Sequence, residues 1–128
     1  MPISEQIAPR LARTLVAIAE GSGPEFATIQ APESGAYVQF TLHEGQLIFE
    51  AVCNEFLPAD EQLSQAQIAW LGEHGFSEPD PNHRREIELE PGDGPLRAQM
   101  TQVAQDAVQI MQELYGVSSD DLEVQTDD

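Results

Sequence analysis

Two stretches of the chain repeat their apolar residues with the period of an α-helix. Over residues 8–20 the apolar side chains recur three or four residues apart, Pro9 suits the first turn, and Gly21 offers a C-terminal cap. The repeating side chains are Ile7, Leu11, Leu15 and Ile18. A second stripe begins where Pro95 suits the first position of a helix, and it consists of Leu96, Met100, Val103, Ala107, Ile110 and Leu114. The pattern therefore predicts one core-facing helix near each end of the chain.

Between these helices the apolar residues alternate with polar ones, as they do in half-buried β-strands. Residues 25–30, 36–42 and 47–53 each indicate a strand. A two-residue hairpin turn at Glu44–Gly45 places apolar residues opposite one another in the pairs Leu42–Leu47, Phe40–Phe49 and Val38–Ala51. Because the turn and the alternation agree on one register, the hairpin is the best-defined structural prediction.

The opposite face of this hairpin is more apolar than a face turned wholly to water. It carries Tyr37, Ile48 and Val52 beside polar neighbours. The sequence therefore predicts that this face is either covered by another element or contacts a partner.

The remaining elements complete an α+β order. Ser64 and Gln67 have the spacing of a helix capping box, and the helix that they open contains Trp70. Residues 84–90 alternate apolar and acidic side chains, which is typical of a strand near a sheet edge. The expected fold is an antiparallel sheet packed by helices in the order α-β-β-β-α-β(-β)-α. We expect one domain over residues 1–117 and a solvated acidic tail over residues 118–128.

Composition excludes several classes of function. The net charge is −18, with five arginines, no lysine and 23 acidic residues. Binding to nucleic acid or to an anionic membrane needs a basic face that five arginines cannot supply. The sequence has no apolar run long enough for a transmembrane helix and no secretory signal. We expect a cytoplasmic protein without a cofactor; the acidic surface also fits a saline cytoplasm.

Candidate catalytic chemistry is sparse. The combination of His74, Asp80 and His83 could chelate a metal ion, but its spacing matches no familiar ligand signature. Cys53 falls on the apolar face of its predicted strand, where a thiol is usually inert. The sequence also lacks the common nucleotide-binding and hydrolase motifs. A non-enzymatic protein is therefore expected. The alternatives are a small metal-dependent enzyme or regulator that uses His74, Asp80 and His83, or a structural subunit of a larger complex.

Residues 36–90 resemble a known family. The similar segments are Tyr37–Phe40, Glu50–Pro58, Leu63–Ser64, Leu71–Gly72, Gly75–Phe76, Pro79 and Pro81–Asn82. They resemble the TY-Chap family, which is similar to type III secretion chaperones and to YbjN-like proteins. The resemblance implies the secretion-chaperone fold and a non-enzymatic protein that binds peptide segments and often forms dimers.

These observations together predict a chaperone- or adaptor-like module that binds a protein or peptide partner. The predicted partner-binding or dimer face consists of Tyr37, Ile48, Val52, Phe56 and Trp70. Its acidic surroundings favour partners that carry Lys or Arg. If the face is exposed, replacing Ile48 and Val52 together by Ser should abolish binding without changing the thermal transition. Apolar residues at the centre of a two-fold patch also predict a homodimer.

Overall fold

The computed structural model describes residues 4–21, 23–31, 35–77, 82–117 and 121–126. Within these ranges, three α-helices and five β-strands follow one another in the order α1-β1-β2-β3-α2-β4-α3-β5, with two 3₁₀ turns between β3 and α2. The elements are α1 (Ser4–Glu20), β1 (Phe26–Gln30), β2 (Tyr37–His43), β3 (Gln46–Ala51), α2 (Gln65–Glu73), β4 (His83–Glu88), α3 (Asp93–Glu113) and β5 (Glu123–Thr126).

The five strands form one antiparallel sheet in the order β4-β3-β2-β1-β5. The β2–β3 hairpin has the predicted pairs Leu42–Leu47, Phe40–Phe49 and Val38–Ala51. Both residues of its turn, Glu44 and Gly45, have positive φ angles of 52° and 82°. Such a turn twists in the same sense as the strands it joins, which fixes the register.

Helices α1 and α3 contact each other and pack over one face of the sheet. The four predicted apolar residues of α1 and all six of α3 are buried. At the centre of the core, the ring of Phe49 lies 4.4 Å from that of Phe40 and 5.0 Å from that of Phe76, measured between centroids. The capping box of Ser64 and Gln67 opens α2 as predicted, and the Gln67 side chain also donates to the Leu114 carbonyl at 2.9 Å.

Two predictions near the chain ends need correction. The fifth strand follows α3 instead of preceding it: β5 lies within the predicted acidic tail and pairs with β1, with Val124 opposite Ile29. Its neighbour Leu122 is buried, so residues 122–126 belong to the folded domain although Glu123 is exposed. Helix α1 begins before the predicted residue 8, which puts Pro9 inside the helix and not in its first turn.

The second face of the sheet carries mostly polar side chains. Thr28, Gln39, Thr41 and Glu50 are half-buried there, on the side opposite α1 and α3. On β4, at one sheet edge, Glu86 is exposed and pairs with Arg84 at 3.2 Å. Charged side chains at an edge discourage unwanted strand pairing. In the described part of the chain, no helix is long and apolar enough to cross a membrane.

Candidate functional site

Two of the five predicted contact residues are buried within the single chain. Ile48 is 4 % exposed and Val52 is 0 % exposed. Ile48 lies between Thr41 of β2 and Glu86 of β4, whose strands flank it on both sides. Val52 follows the end of β3 and belongs to the hydrophobic core cluster. In the single chain these two side chains are therefore not accessible to a partner. The assignment of the face to a partner or to a dimer stays a prediction.

The surroundings of Val52 form a buried hydrogen-bond network. The hydroxyl of Tyr115 donates to the Val52 carbonyl at 2.7 Å, and the Val52 amide donates to the Tyr37 carbonyl at 3.1 Å. The side chain of Asn82 accepts from the Cys53 amide at 3.1 Å and donates to the Tyr37 hydroxyl at 3.0 Å. Burial is the main cause that raises the pKa of Tyr115 above its usual value, and the nearby Cys53 and Tyr37 raise it further. This network holds Tyr37 in the framework of the protein and leaves it only half-exposed.

The two aromatic residues beyond the sheet are more accessible. Phe56 is 49 % exposed in the 3₁₀ turn Asn54–Phe56, and an exposed phenyl ring is a ready contact for a partner. Trp70 is half-buried on α2 and stacks on His74, with the ring centroids 3.7 Å apart.

The segment that presents Phe56 is anchored at several points. The amide side chain of Asn54 pairs with the Leu63 backbone, accepting from its N–H at 2.7 Å and donating to its carbonyl at 3.0 Å. The Glu61 carboxylate accepts from the Gly35 amide at 3.2 and 3.3 Å. The Asn54–Leu63 bonds close the segment on itself. The Glu61–Gly35 bonds tie it to the backbone just before β2, so Phe56 is held on an ordered surface.

The histidines of the predicted metal combination are engaged locally. Nδ1 of His74 lies 2.7 Å from the Trp70 carbonyl oxygen, and Nδ1 of the buried His83 lies 3.1 Å from the Ser77 carbonyl oxygen. Asp80 lies outside the described residues. Over the ranges that the structure covers, no group of three His, Cys, Asp or Glu side chains is placed to hold a metal ion. Cys53 is buried, as its apolar pattern predicted.

A groove of about 500 Å³ lies between α1 and α3, at a place that the sequence analysis did not anticipate. Ala8, Ala12 and Val16 of α1 give it an apolar side. Arg13 of α1 and Arg97 of α3 also line it, and both arginines are exposed. Its volume falls within the roughly 300–1,000 Å³ typical of ligand pockets.

Comparison with known proteins identifies the family. The family model for the type III secretion system (YopN, CesT) and YbjN peptide-binding chaperone 3, TY-Chap3, matches residues 5–127. The chain belongs to the TY-Chap3 family. The resemblance of residues 36–90 is thereby confirmed, and it extends from α1 to β5 of this TY-Chap3 chain. Comparisons with curated proteins and with solved structures gave no significant match.

Two accessible surfaces of this TY-Chap3 chain are therefore candidates for contact with a partner. One is the exposed ring of Phe56 with the half-buried Trp70, both of which the sequence analysis had selected. The other is the arginine-lined groove, which the sequence analysis missed. The available signal was the position of Arg10, Arg13 and Arg97 on the two helices predicted to face the core.

Proposed function

We propose that this protein is a non-enzymatic, chaperone-like module that binds a peptide segment of a partner protein. The observation that carries the proposal is the match of a peptide-binding chaperone family over residues 5–127. The match runs from α1 to β5, so the proposal concerns the whole folded unit that the structure describes.

The chemistry of the accessible residues supports binding. Phe56 provides an exposed aromatic contact, and the α1–α3 groove combines an apolar side with arginines. Burial of apolar area supplies affinity, at roughly 25 cal/mol per Å² before the costs of ordering the partner. By contrast, the thiol of Cys53 is shielded by burial, which disfavours its reactive thiolate form.

Two further properties belong to the same proposal. The protein acts in the cytoplasm, and it forms a homodimer. A dimer face needs a self-complementary patch, for which Phe56 and Trp70 are the more accessible members of the predicted face. Self-repulsion at a charge of −18 opposes association, but salt screens it beyond about 8 Å at physiological ionic strength.

Binding of the full chain to a peptide array tests the function. The array holds 15-residue peptides of varied charge and hydropathy, and the heat-denatured chain serves as the control for non-specific adhesion. We expect the folded protein to bind a chemically related subset of peptides, with saturation at micromolar concentrations. Equal or absent binding across the whole array would contradict the proposed function.

A further inference from the structure

The few cations of this acidic chain are divided into two groups. Arg84 forms an ion pair with Glu86 at 3.2 Å, and Arg85 forms one with Asp106 at 3.4 Å. The other three arginines, Arg10, Arg13 and Arg97, lie on α1 and α3. No described side chain forms an ion pair with any of these three.

These three arginines line two adjoining hollows that share Arg13. Arg13 and Arg97 line the α1–α3 groove from opposite helices, while Arg10 and Arg13 line an adjoining hollow of about 320 Å³ beside β5. Glu20 is the acidic side chain among the residues that line the groove. The chain has 23 acidic residues, yet these three cations have no ion-pair partner among the described residues. They make this part of an otherwise acidic surface locally basic.

The groove also has an apolar component. Ala8, Ala12 and Val16 follow one another at four-residue intervals along one side of α1. Small side chains leave room for the larger side chains of a ligand, and two flanking helices form the kind of channel that receives an amphipathic helix. Guanidinium groups favour carboxylates, which accept two hydrogen bonds from their planar fork.

We propose that the α1–α3 groove binds an amphipathic helical segment of a partner protein, with apolar anchors flanked by Asp or Glu. The anchors enter between the helices against Val16 and its neighbours, and the carboxylates pair with Arg13 and Arg97. This inference rests on the proposed function and specifies the chemistry of its ligand. The groove thus favours acidic ligands, whereas the overall acidity of the chain predicts partners that carry Lys or Arg.

The remaining negative charge does not prevent such binding at physiological salt. Long-range repulsion is screened beyond about 8 Å at 0.15 M ionic strength, whereas contacts between neighbouring guanidinium and carboxylate groups persist. Binding should therefore be measured at 0.15 M salt or above.

Three synthetic helices of about 18 residues test the proposal, since shorter peptides are marginally helical in water. All carry the same Leu anchors at i, i+3, i+4 and i+7, and the flanking positions are Glu in one, Lys in the second and Gln in the third. Fluorescence anisotropy with the full chain should give an affinity about tenfold higher for the Glu helix than for the Lys helix. Replacing its Leu anchors by Ser should abolish the binding.

Variants of the protein locate the site. Arg13→Gln and Arg97→Gln should each weaken binding of the Glu helix about threefold, and both together about tenfold, as expected for exposed ion pairs. Arg84→Gln is the matched control, because it removes the same charge from the second sheet face and should leave the affinity unchanged. Circular dichroism melts verify that all variants remain folded.

Several results would overturn the proposal. One is equal or tighter binding of the Lys helix, and another is unchanged affinity of the Arg13→Gln/Arg97→Gln variant for the Glu helix. The last is a dimer of the full chain that dissociates when both arginines are replaced. The last result would make a second copy of the chain the occupant of the groove. If the array yields ligands in these cases, the proposed function stands and only the groove assignment fails. If neither the array peptides nor the three helices bind, both fail.

Discussion

Replacing Ile48 and Val52 by Ser tests whether this part of the second sheet face is core. Both side chains are buried, at 4 % and 0 % exposure, so each substitution removes apolar area that folding hides from water. Complete burial of a Val or Ile side chain contributes about 1.5–3 kcal/mol, and burying an unpaired hydroxyl costs about 1–3 kcal/mol. We expect a loss of about 3 kcal/mol for Val52→Ser and about 5 kcal/mol for the double variant.

Urea unfolding monitored by circular dichroism measures this loss, and a thermal melt provides a second estimate. For a chain of this length, about 3 kcal/mol corresponds to a decrease in Tm of roughly 10 °C. Thr41→Ser is the matched control, since Thr41 pairs with Ile48 on the same face but is half-exposed, and it should cost less than about 1 kcal/mol. A decrease below about 1 kcal/mol for Val52→Ser, with an unchanged m value, would show that the burial argument is wrong.

Three other predictions address Tyr115, the exposed aromatic ring and the assembly state. Because burial raises the pKa of Tyr115 above 10.0, its hydroxyl loses the proton at a lower pH in the unfolded chain than in the folded chain. The free energy of unfolding should then fall above about pH 10 by up to 1.4 kcal/mol per pH unit, a slope that Tyr115→Phe removes. Phe56→Ser should weaken the homodimer at least about threefold with little change in Tm, whereas Phe26→Ser, also at an exposed ring, should not; equal effects in sedimentation equilibrium would argue against a dimer contact at Phe56. Light scattering in 0.15 M salt at tens of micromolar should give twice the 14.0 kDa of one chain, and a single-chain mass would refute the dimer.

Much of the fold could be predicted because local patterns and turn chemistry agree. The β2–β3 register follows from alternation together with a two-residue turn that ends in Gly45, and the structure has the same pairs. The capping box of Ser64 and Gln67 is a local hydrogen-bond pattern, so its spacing was sufficient to predict where α2 begins. Local signals of this kind do not depend on distant parts of the chain.

The features that the sequence left open or placed wrongly depend on tertiary packing. Strand β5 contains the short alternation of Val124 with polar residues, but its acidic surroundings resemble a solvated tail. Its position is determined by pairing with β1, from which it is separated by most of the chain. Val52 alternates toward the second face, yet it lies beyond the last paired residue of β3, where the network around Tyr115 covers it.

The candidate site was only partly predictable for the same reason. Phe56 is an exposed aromatic residue, as a contact residue should be, and its selection followed from its residue type. The groove requires Arg13 and Arg97 to meet across two helices that are separated in sequence by strands β1 to β4. Helical periodicity identifies the buried side of each helix, but it does not determine how closely their outer sides approach.

The most direct test of peptide binding is an NMR titration of the ¹⁵N-labelled full chain with the strongest ligand from the array. The account predicts saturable chemical-shift changes, fitted by one dissociation constant, in a contiguous set of amides that includes Val16 and Thr101 at the α1–α3 groove. Unchanged spectra with every array peptide up to about 1 mM, a concentration at which even weak specific binding is detected, would contradict it.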